Sequence, residues 1–388
     1  MTASKPSLAL THARVITPTE EIEDATVVLA GGRIVSVGPE KPPAEAETLD
    51  VRGRTVAPGF IDLHVHGGGG FSLTGGDLAE VGAYAHWAVS RGVTSFLISL
   101  VPGERDELLR RIRATLPAFG GVIDGAQPLG FHLEGPFLSP KRPGAFAAEG
   151  LRAPDVEELR GYVEVAEGRV RIVTLAPELL GGEALIDAVV EAGAVAALGH
   201  SDATYEEAQH AFALGVRHVT HCYNAMRPFH QRDPGCLAAA LNSRDVTVEL
   251  IADGVHVHPG AMELLLRAKG VERTVLVSDG IPLAGTGDGV FDLQGEEIRV
   301  EGGVARRVDG ALAGGTATMD EAVRNAAAWL PVSRAEAVRM ATLNPAAAIG
   351  LDGRKGRVAP GFDADLVVLS PALEVEMTFV AGKTSYRR

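Results

Sequence analysis

Residues 56–66 read VAPGFIDLHVH, a Pro-Gly turn followed by an apolar run that ends in two histidines, His64 and His66. Residues two apart on a strand point to the same side, so both imidazoles are expected to converge on one point at the strand's end. Seven further apolar runs follow: VTSFLISL (93–100), PLGFHLEGP (128–136), VRIVTLAPE (170–178), AVAALGH (194–200), RHVTHCYN (217–224), VTVELIAD (246–253) and TVLVSDG (274–280). Ala/Glu/Arg-rich segments of helical length separate them. DLAEVGAYAHWAVSRG (77–92) has apolar residues at helical spacing, and APDVEELRGYVEVAEG (153–168) opens with Pro and acids in its first turn. Strands alternating with helices imply parallel βα units, and eight of them imply a closed (β/α)8 barrel of the TIM type.

The two ends of the chain read differently. The first fifty residues alternate short β-rich runs with turns, and so do the last thirty; VAPGF occurs at 56–60 and again at 358–362. The echo is read as the chain leaving and re-entering one small β-sandwich domain built from both termini. The expected division is 1–55 and 351–388 for that domain and 56–350 for the barrel. A length of 388 residues suits one large unit with one small one.

Composition excludes several classes of function. With 46% hydrophobic and 22% charged residues the chain is an ordinary soluble one, and a net charge of −14 argues against a general binder of nucleic acid or anionic membranes. The N-terminal segment lacks a signal-peptide pattern, and no apolar run approaches the ~18 residues that span a bilayer, so a cytoplasmic location is expected. Cys222 and Cys236 form no C-x-x-C pair and read as small core residues.

The ends of the runs carry the chemistry. After His64 and His66, the third ends in Glu134, the fifth in His200, the sixth in His221, the seventh in Asp253 and the eighth in Asp279. In a barrel all of these lie at the C-terminal mouth, where barrel enzymes place their active sites. Three or four histidines with one or two carboxylates form a ligand set for a divalent metal, zinc first and iron second. Left unpaired, such a buried cluster would cost several kcal/mol per charge. Among the other histidines, His132 is expected to face the barrel interior, His218 to face the helices as a structural residue, His86 and His210 to be solvated, and His258 to lie in a loop. Gly67–Gly70 lack the Lys-Ser/Thr of a phosphate loop and are expected to let backbone pass close to the metal site.

PGFIDLHVHGG (58–68), HLEGPF (132–137), GHS (199–201), THCYNAM (220–226), RDPG (232–235), ADGVHV (252–257), SDG (278–280), LAGGTATMDEAVRN (312–325) and NPA (344–346) occur in that order. In this set the chain resembles the amidohydrolase superfamily and, within it, the N-acetylglucosamine-6-phosphate deacetylases. The resemblance spans essentially the whole chain and implies hydrolysis of the N-acetyl group of N-acetyl-D-glucosamine 6-phosphate to glucosamine 6-phosphate and acetate. It implies that Glu134, His200 and His221 bind the metal that is always needed. His64 and His66, with Glu134 shared and Asp279 nearby, would build a second position, giving one or two ions per subunit. The fourth run ends in APE without a Lys, so the carboxylated-lysine bridge of dihydropyrimidinase-like relatives is absent.

A divalent ion lowers the pKa of its water from ~15.7 toward ~7 and so supplies hydroxide at neutral pH. Asp279 is expected to take the water's proton as general base and return it to the departing amine as general acid. A phosphate needs local neutralisation in an acidic protein; Arg232 can pair with it bidentately and His256 can donate to it. The resemblance adds the backbone N–H groups of Asn224 and Ala225, and implies that Arg232 reaches the neighbouring subunit's site in a homodimer. A surface ion pair with Asp233 is the structural alternative for Arg232, while Arg227 and His230 have no assigned role.

One position departs from the family. Where its members continue S-P-x-x-x-G-A-H, with the His contacting substrate near the acetyl carbonyl, this chain reads SPKRPGAF (139–146). Phe146 can neither polarise a carbonyl nor hydrogen-bond a hydroxyl. Alternative functions are deacetylation of another phosphorylated amino sugar such as the galactosamine isomer, hydrolysis of an unphosphorylated N-acyl amino acid, and a catalytically silent scaffold with this fold. The 281–311 segment reads as a hairpin insertion, either a lid at the mouth or an exposed hairpin away from substrate.

Overall fold

The computed structural model describes residues 8–17, 20–120, 123–293 and 295–388. Its barrel sheet has eight strands in sequence order, labelled β1 (Phe60–Asp62), β2 (Val93–Leu100), β3 (Gln127–Glu134), β4 (Val170–Leu175), β5 (Val195–Leu198), β6 (His218–Val219), β7 (Thr247–Ile251) and β8 (Thr274–Val277). Every adjacent pair is parallel. The ring is completed just beyond β8 and β1, where the Asp279 N–H donates to the His64 carbonyl (2.9 Å) and the His66 N–H to the Gly280 carbonyl (2.8 Å).

The strands divide their side chains between two cores. Ile61, Leu63, Leu97, Ile172, Ile251, Val275 and Val277 pack in one cluster with Ala346 and Ile349 of the C-terminal part of the barrel. Phe60, Phe96, Ile98, Leu100, Val173 and Leu175 join the larger cluster shared with the helices. Apolar demand on both faces is why these strands read as nearly continuous apolar runs. Side-chain caps mark the helix starts. Asp77 caps Leu78–Ala88 and Asp155 caps Val156–Val165, while Thr204/Glu207 form a capping box at Tyr205–Leu214 and Thr318/Glu321 one at Met319–Trp329.

The termini share a second eight-stranded sheet, branched at Leu8–Ile16, which pairs with Glu21–Ala30, Glu47–Asp50 and Thr55–Pro58. Thr55–Pro58 in turn pairs antiparallel with Leu366–Leu369, so the strand that leads into the barrel is held by one from the other end of the chain. Val56 and Val358, from the two VAPGF copies, lie in the same core cluster.

The 281–311 segment is a three-stranded antiparallel sheet, not a two-stranded hairpin: Gly289–Leu293, Glu296–Glu301 and Val304–Arg307. Ile298, Val300 and Ala305 pack against Ile281 and Ala313, which anchors the sheet to the chain leaving β8. No helix among the described residues is long and apolar enough to cross a membrane.

Candidate metal centre and active site

Six of the residues expected at the strand ends meet at the mouth of the barrel. His64, His66, Glu134, His200, His221 and Asp279 are all buried, Asp279 being the most exposed at 8%. They form two groups with ligand atoms within 4.8 Å of one another: Glu134, His200 and His221, and His64, His66 and Asp279. Glu134 joins them. Its Oε1 lies 3.1 Å from the Nε2 atoms of both His200 and His221, and its Oε2 lies 3.2 Å from His64 Nε2 and 3.1 Å from His66 Nε2. Asp279 Oδ1 is 3.3 Å from His64 Nε2 and from His66 Nε2.

These side chains converge because the backbone bends sharply where the strands end. His200, His221 and Asp279 all have positive φ (+46°, +28° and +48°), a conformation costing ~1–2 kcal/mol in a non-glycine residue. Gly144 lets the following loop pass over His200, since a Cβ there would sit 2.8 Å from the imidazole Cε1.

The donor set fits a divalent cation. His200 Nδ1–H donates to the Arg142 carbonyl (2.9 Å), which leaves the lone pair on Nε2, and that atom lies 3.0 Å from His221 Nε2. His64 Nδ1 pairs with Glu249 Oε2 at 2.9 Å, leaving its Nε2 facing His66 Nε2 at 3.2 Å. Glu134 Oε2 and the Nδ1 atoms of His66 and His221 are buried without a hydrogen-bond partner among the described residues. Opposed ring nitrogens beside a buried carboxylate are reconciled by a cation between them.

The electrostatics also demand positive charge here. Burial opposes protonation of His64, but the carboxylates of Glu134, Asp279 and Glu249 outweigh it and hold the imidazole well above its usual range. His66 is raised to about 9 in the same way, by Asp279 and Glu134 against burial. Burial pushes the Glu134 and Asp279 carboxyls up, but the surrounding imidazoles prevail and hold both below the usual range. His200 moves the other way, lowered by burial and by His221 despite Glu134.

Other expected residues have different places. Asp253 is not in the cluster; its Oδ2 pairs with His256 Nδ1 at 2.7 Å and its Oδ1 accepts the N–H groups of Val255 and His256 at 2.8 Å. His132 does face the interior, edge-on to His64 with ring centroids 4.6 Å apart, between Ser99 Oγ and Thr174 Oγ1. His218 does not face the helices: its Nε2 lies 3.0 Å from Glu249 Oε1, inside the barrel. The alternation counted back from His221 fails because β6 is only two residues long and the chain turns directly after it. His86 and His210 are exposed, His258 caps the helix Pro259–Lys269, and both cysteines are buried. Among the glycines at 67–70, Gly68 and Gly69 serve a different contact from the one expected, since a Cβ there would strike the Trp87 ring at 2.3 or 2.5 Å. A Cβ at Gly67 would meet the backbone of Phe71 at 2.3 Å and of Pro282 at 3.0 Å.

Glu249 was not foreseen. It is fully buried in β7 and touches both groups, through His64 Nδ1 and through the main-chain N–H of His221, which donates to Oε2 at 2.8 Å. Its signal is a single acid inside the otherwise apolar VTVELI, which a buried strand tolerates only if partners await it. Glu178, at the end of the fourth run, holds the loop after His200 by accepting from Ser201 Oγ–H (2.8 Å) and Asp202 N–H (2.6 Å).

The cluster floors a pocket of about 300 Å³ that Asn224, Ala225, Phe146 and His256 also line, together with Phe291, Asp292 and Leu293 of the inserted sheet. That sheet therefore borders the mouth. The Asn224 N–H is already engaged, donating to the His221 carbonyl at 2.9 Å, whereas the Ala225 N–H has no acceptor among the described residues. Burial opposes protonation of His256, but Asp253 outweighs it and raises the imidazole above its usual range. Phe146 is buried against His200, with ring centroids 4.9 Å apart, and packs with Val101 and Leu138. Arg232 is exposed and its guanidinium has no partner among the described residues; Asp233 pairs instead with Arg227 at 2.6 Å.

Comparison with known proteins agrees with this geometry. The amidohydrolase family matches residues 55–385. The N-acetylglucosamine-6-phosphate deacetylase of Bacillus subtilis (strain 168) is 35% identical over 385 residues, covering 98% of this chain and 97% of that one. The N-acetylgalactosamine-6-phosphate deacetylase of Escherichia coli O157:H7 is 36% identical over 373 residues, 95% of this chain and 97% of that one. The Mycobacterium smegmatis N-acetyl-D-glucosamine-6-phosphate deacetylase, solved in complex with N-acetyl-D-glucosamine-6-phosphate, superposes with a TM-score of 0.91 at 39% identity, over 98% of this chain and 99% of that one. The chain belongs to the amidohydrolase family, within its N-acetylglucosamine-6-phosphate deacetylase group.

Proposed function

We propose that the pocket hydrolyses the N-acetyl group of N-acetyl-D-glucosamine 6-phosphate, releasing acetate and D-glucosamine 6-phosphate, in a cytoplasmic homodimer. The observation that carries this reading is Glu134 shared by two histidine groups on the floor of a pocket, with His256 and the free Ala225 N–H also lining its wall. The small β domain is assigned to 1–55 and 351–388 and the hydrolytic barrel to 56–350.

Glu134, His200 and His221 would hold one divalent ion, and His64, His66 and Asp279, with Glu134 shared, a second. Zinc is the first choice and iron the next, since the donors are imidazole and carboxylate without thiolate. A bound ion supplies Lewis acidity and a water acidic enough to ionise near neutrality. Asp279 faces the pocket with its carboxyl held below the usual range, so it is ionised at neutral pH and free to accept the attacking water's proton. Passing that proton to the sugar nitrogen lets the amine leave, one group acting as base and then acid. His256, held by Asp253 and raised toward its cationic form, donates to the phosphate alongside the Ala225 N–H. The unpaired, exposed Arg232 is assigned to the phosphate in the neighbouring subunit's site, which makes the dimer the active form. Phe146 leaves the acetyl group an apolar neighbour in place of a hydrogen-bond donor.

The test is acetate release by zinc-reconstituted protein from N-acetylglucosamine 6-phosphate, its unphosphorylated sugar and the galactosamine isomer, side by side. Turnover of the phosphorylated glucosamine substrate well above the other two is expected. The Escherichia coli relative supports the galactosamine reading, and preferential turnover of that isomer would replace the proposal with it.

A further inference from the structure

We propose that Glu249 is a positioning residue that ties the two ion positions to each other through a single carboxylate oxygen. The inference rests on the two-ion reading above. Glu249 Oε2 accepts from His64 Nδ1–H at 2.9 Å and from the main-chain N–H of His221 at 2.8 Å. The first contact belongs to the His64/His66/Asp279 group and the second to the Glu134/His200/His221 group. The other oxygen, Oε1, takes His218 Nε2 at 3.0 Å, and His218 Nδ1 is in turn held by Thr247 Oγ1 at 2.6 Å. Glu249, His218 and His64 are all fully buried, so no water competes for these contacts.

The chemistry requires an acceptor at both oxygens. Three donors point at this side chain, and a glutamine would set an NH2 group against at least one of them. The bond to Oε2 fixes His64 with its proton on Nδ1, which turns the Nε2 lone pair toward Glu134 and Asp279. The bond to the His221 N–H holds the backbone of a residue with a φ of +28°. His221 keeps independent guidance for its ring, since its Nε2 also faces Glu134 and His200. On the Nδ1 side of the His64 ring, Glu249 is the one partner among the described residues. Loss of Glu249 therefore loosens the His64/His66 position first and the Glu134/His200/His221 position less. Glu249 is not among the residues lining the pocket.

The experiment compares wild type and Glu249→Gln, stripped of metal and titrated with zinc, reading bound ions per protomer, kcat and KM together. Two ions are expected in wild type. In Glu249→Gln the second ion should bind about 10–100-fold more weakly, with kcat falling in step, KM little changed, and activity recovering as zinc is raised. Binding of both ions by Glu249→Gln at wild-type affinity overturns the proposal, as does a loss of kcat that zinc does not restore. A wild type that binds one ion removes the two-ion reading itself, and the proposal falls with it. Should Glu249→Gln fail to fold, zinc-loaded crystals of the wild type decide. The proposal requires His64 Nδ1 within hydrogen-bond distance of Glu249 with zinc at His64 Nε2, and Glu249 ligating an ion directly overturns it.

Discussion

The floor of the pocket and the loop around residues 227–233 are built on opposite plans. On the floor, four imidazoles and two carboxylates are buried, and His64 and His200 are held from behind by Glu249 and the Arg142 carbonyl. In the loop, Phe229 is 62% exposed, the exposed Arg232 guanidinium has no partner among the described residues, and Arg227 is paired with Asp202 and Asp233. A buried charge must be compensated inside the fold, so the floor is complete within one chain. An exposed cation carries no such demand and can wait for a ligand or a neighbouring subunit. On the function proposed above, the bond-breaking chemistry lies in the protomer and part of the phosphate recognition outside it.

The sharpest way to break this contrast is on the floor. Asp279→Asn removes the proton carrier, and kcat should fall by ~10³-fold, within the span usual for general acid–base groups. The ion at Glu134, His200 and His221 should stay bound, as metal analysis of the variant would check. A variant with more than a tenth of wild-type kcat would remove Asp279 from its role.

Arg232→Ala probes the loop. Loss of one charge-assisted contact, worth ~1.5–3 kcal/mol, should raise KM for the phosphorylated sugar by ~10–100-fold and leave kcat near wild type. The unphosphorylated sugar should be indifferent to the change, and a collapse of kcat would contradict the division of labour. Sedimentation of wild type and variant tests the proposed dimer and its survival of the change.

Acid should distinguish the two ion positions. His66 in the metal-free fold is raised to about 9, so below that pH a proton occupies the place the ion needs. Zinc affinity at His64/His66 should therefore fall as pH falls, by ~10-fold per unit for each proton displaced. His200 is lowered and already neutral near pH 7, so its position should respond less. The sign for the metal-free fold is the reverse: a raised imidazole stabilises it fully below about 6.5, and that contribution is lost as pH rises through about 9. Zinc titrations at pH 6 and pH 8 check the first statement, and urea midpoints of stripped protein check the second.

Phe146→His should have the smallest effect. It restores a polar group to a wall formed with Val101 and Leu138, at a cost of ~1–3 kcal/mol if the group is left unsatisfied. Melting temperature should drop by a few degrees while kcat/KM stays within ~10-fold. A larger gain in kcat/KM would mean that this chain lacks a donor the reaction needs.

Much of the floor was legible because barrel strands are apolar on both faces, so a polar residue closing a run stands out. His64, His66, Glu134, His200, His221 and Asp279 were all found in this way. Glu249 escaped because it sits in mid-strand, away from the run's end. His218 was misplaced because strand alternation was extended through a two-residue strand into a turn with a positive φ. Asp253 closed its run as the ligands do, yet the turn after β7 folds its carboxylate onto His256. The third strand of the inserted sheet follows a two-residue Gly302-Gly303 turn, a hairpin signal the sequence carries. The packing of Gly68 and Gly69 under Trp87, by contrast, depends on a contact between separate segments that local pattern does not encode.

The most direct test of the account is stepwise zinc loading of chelator-stripped protein, with acetate release from N-acetylglucosamine 6-phosphate followed against ions bound. The account predicts no release from the stripped protein and turnover that grows with bound zinc. Full turnover by the stripped protein, or none from protein carrying its full complement of zinc, would contradict it.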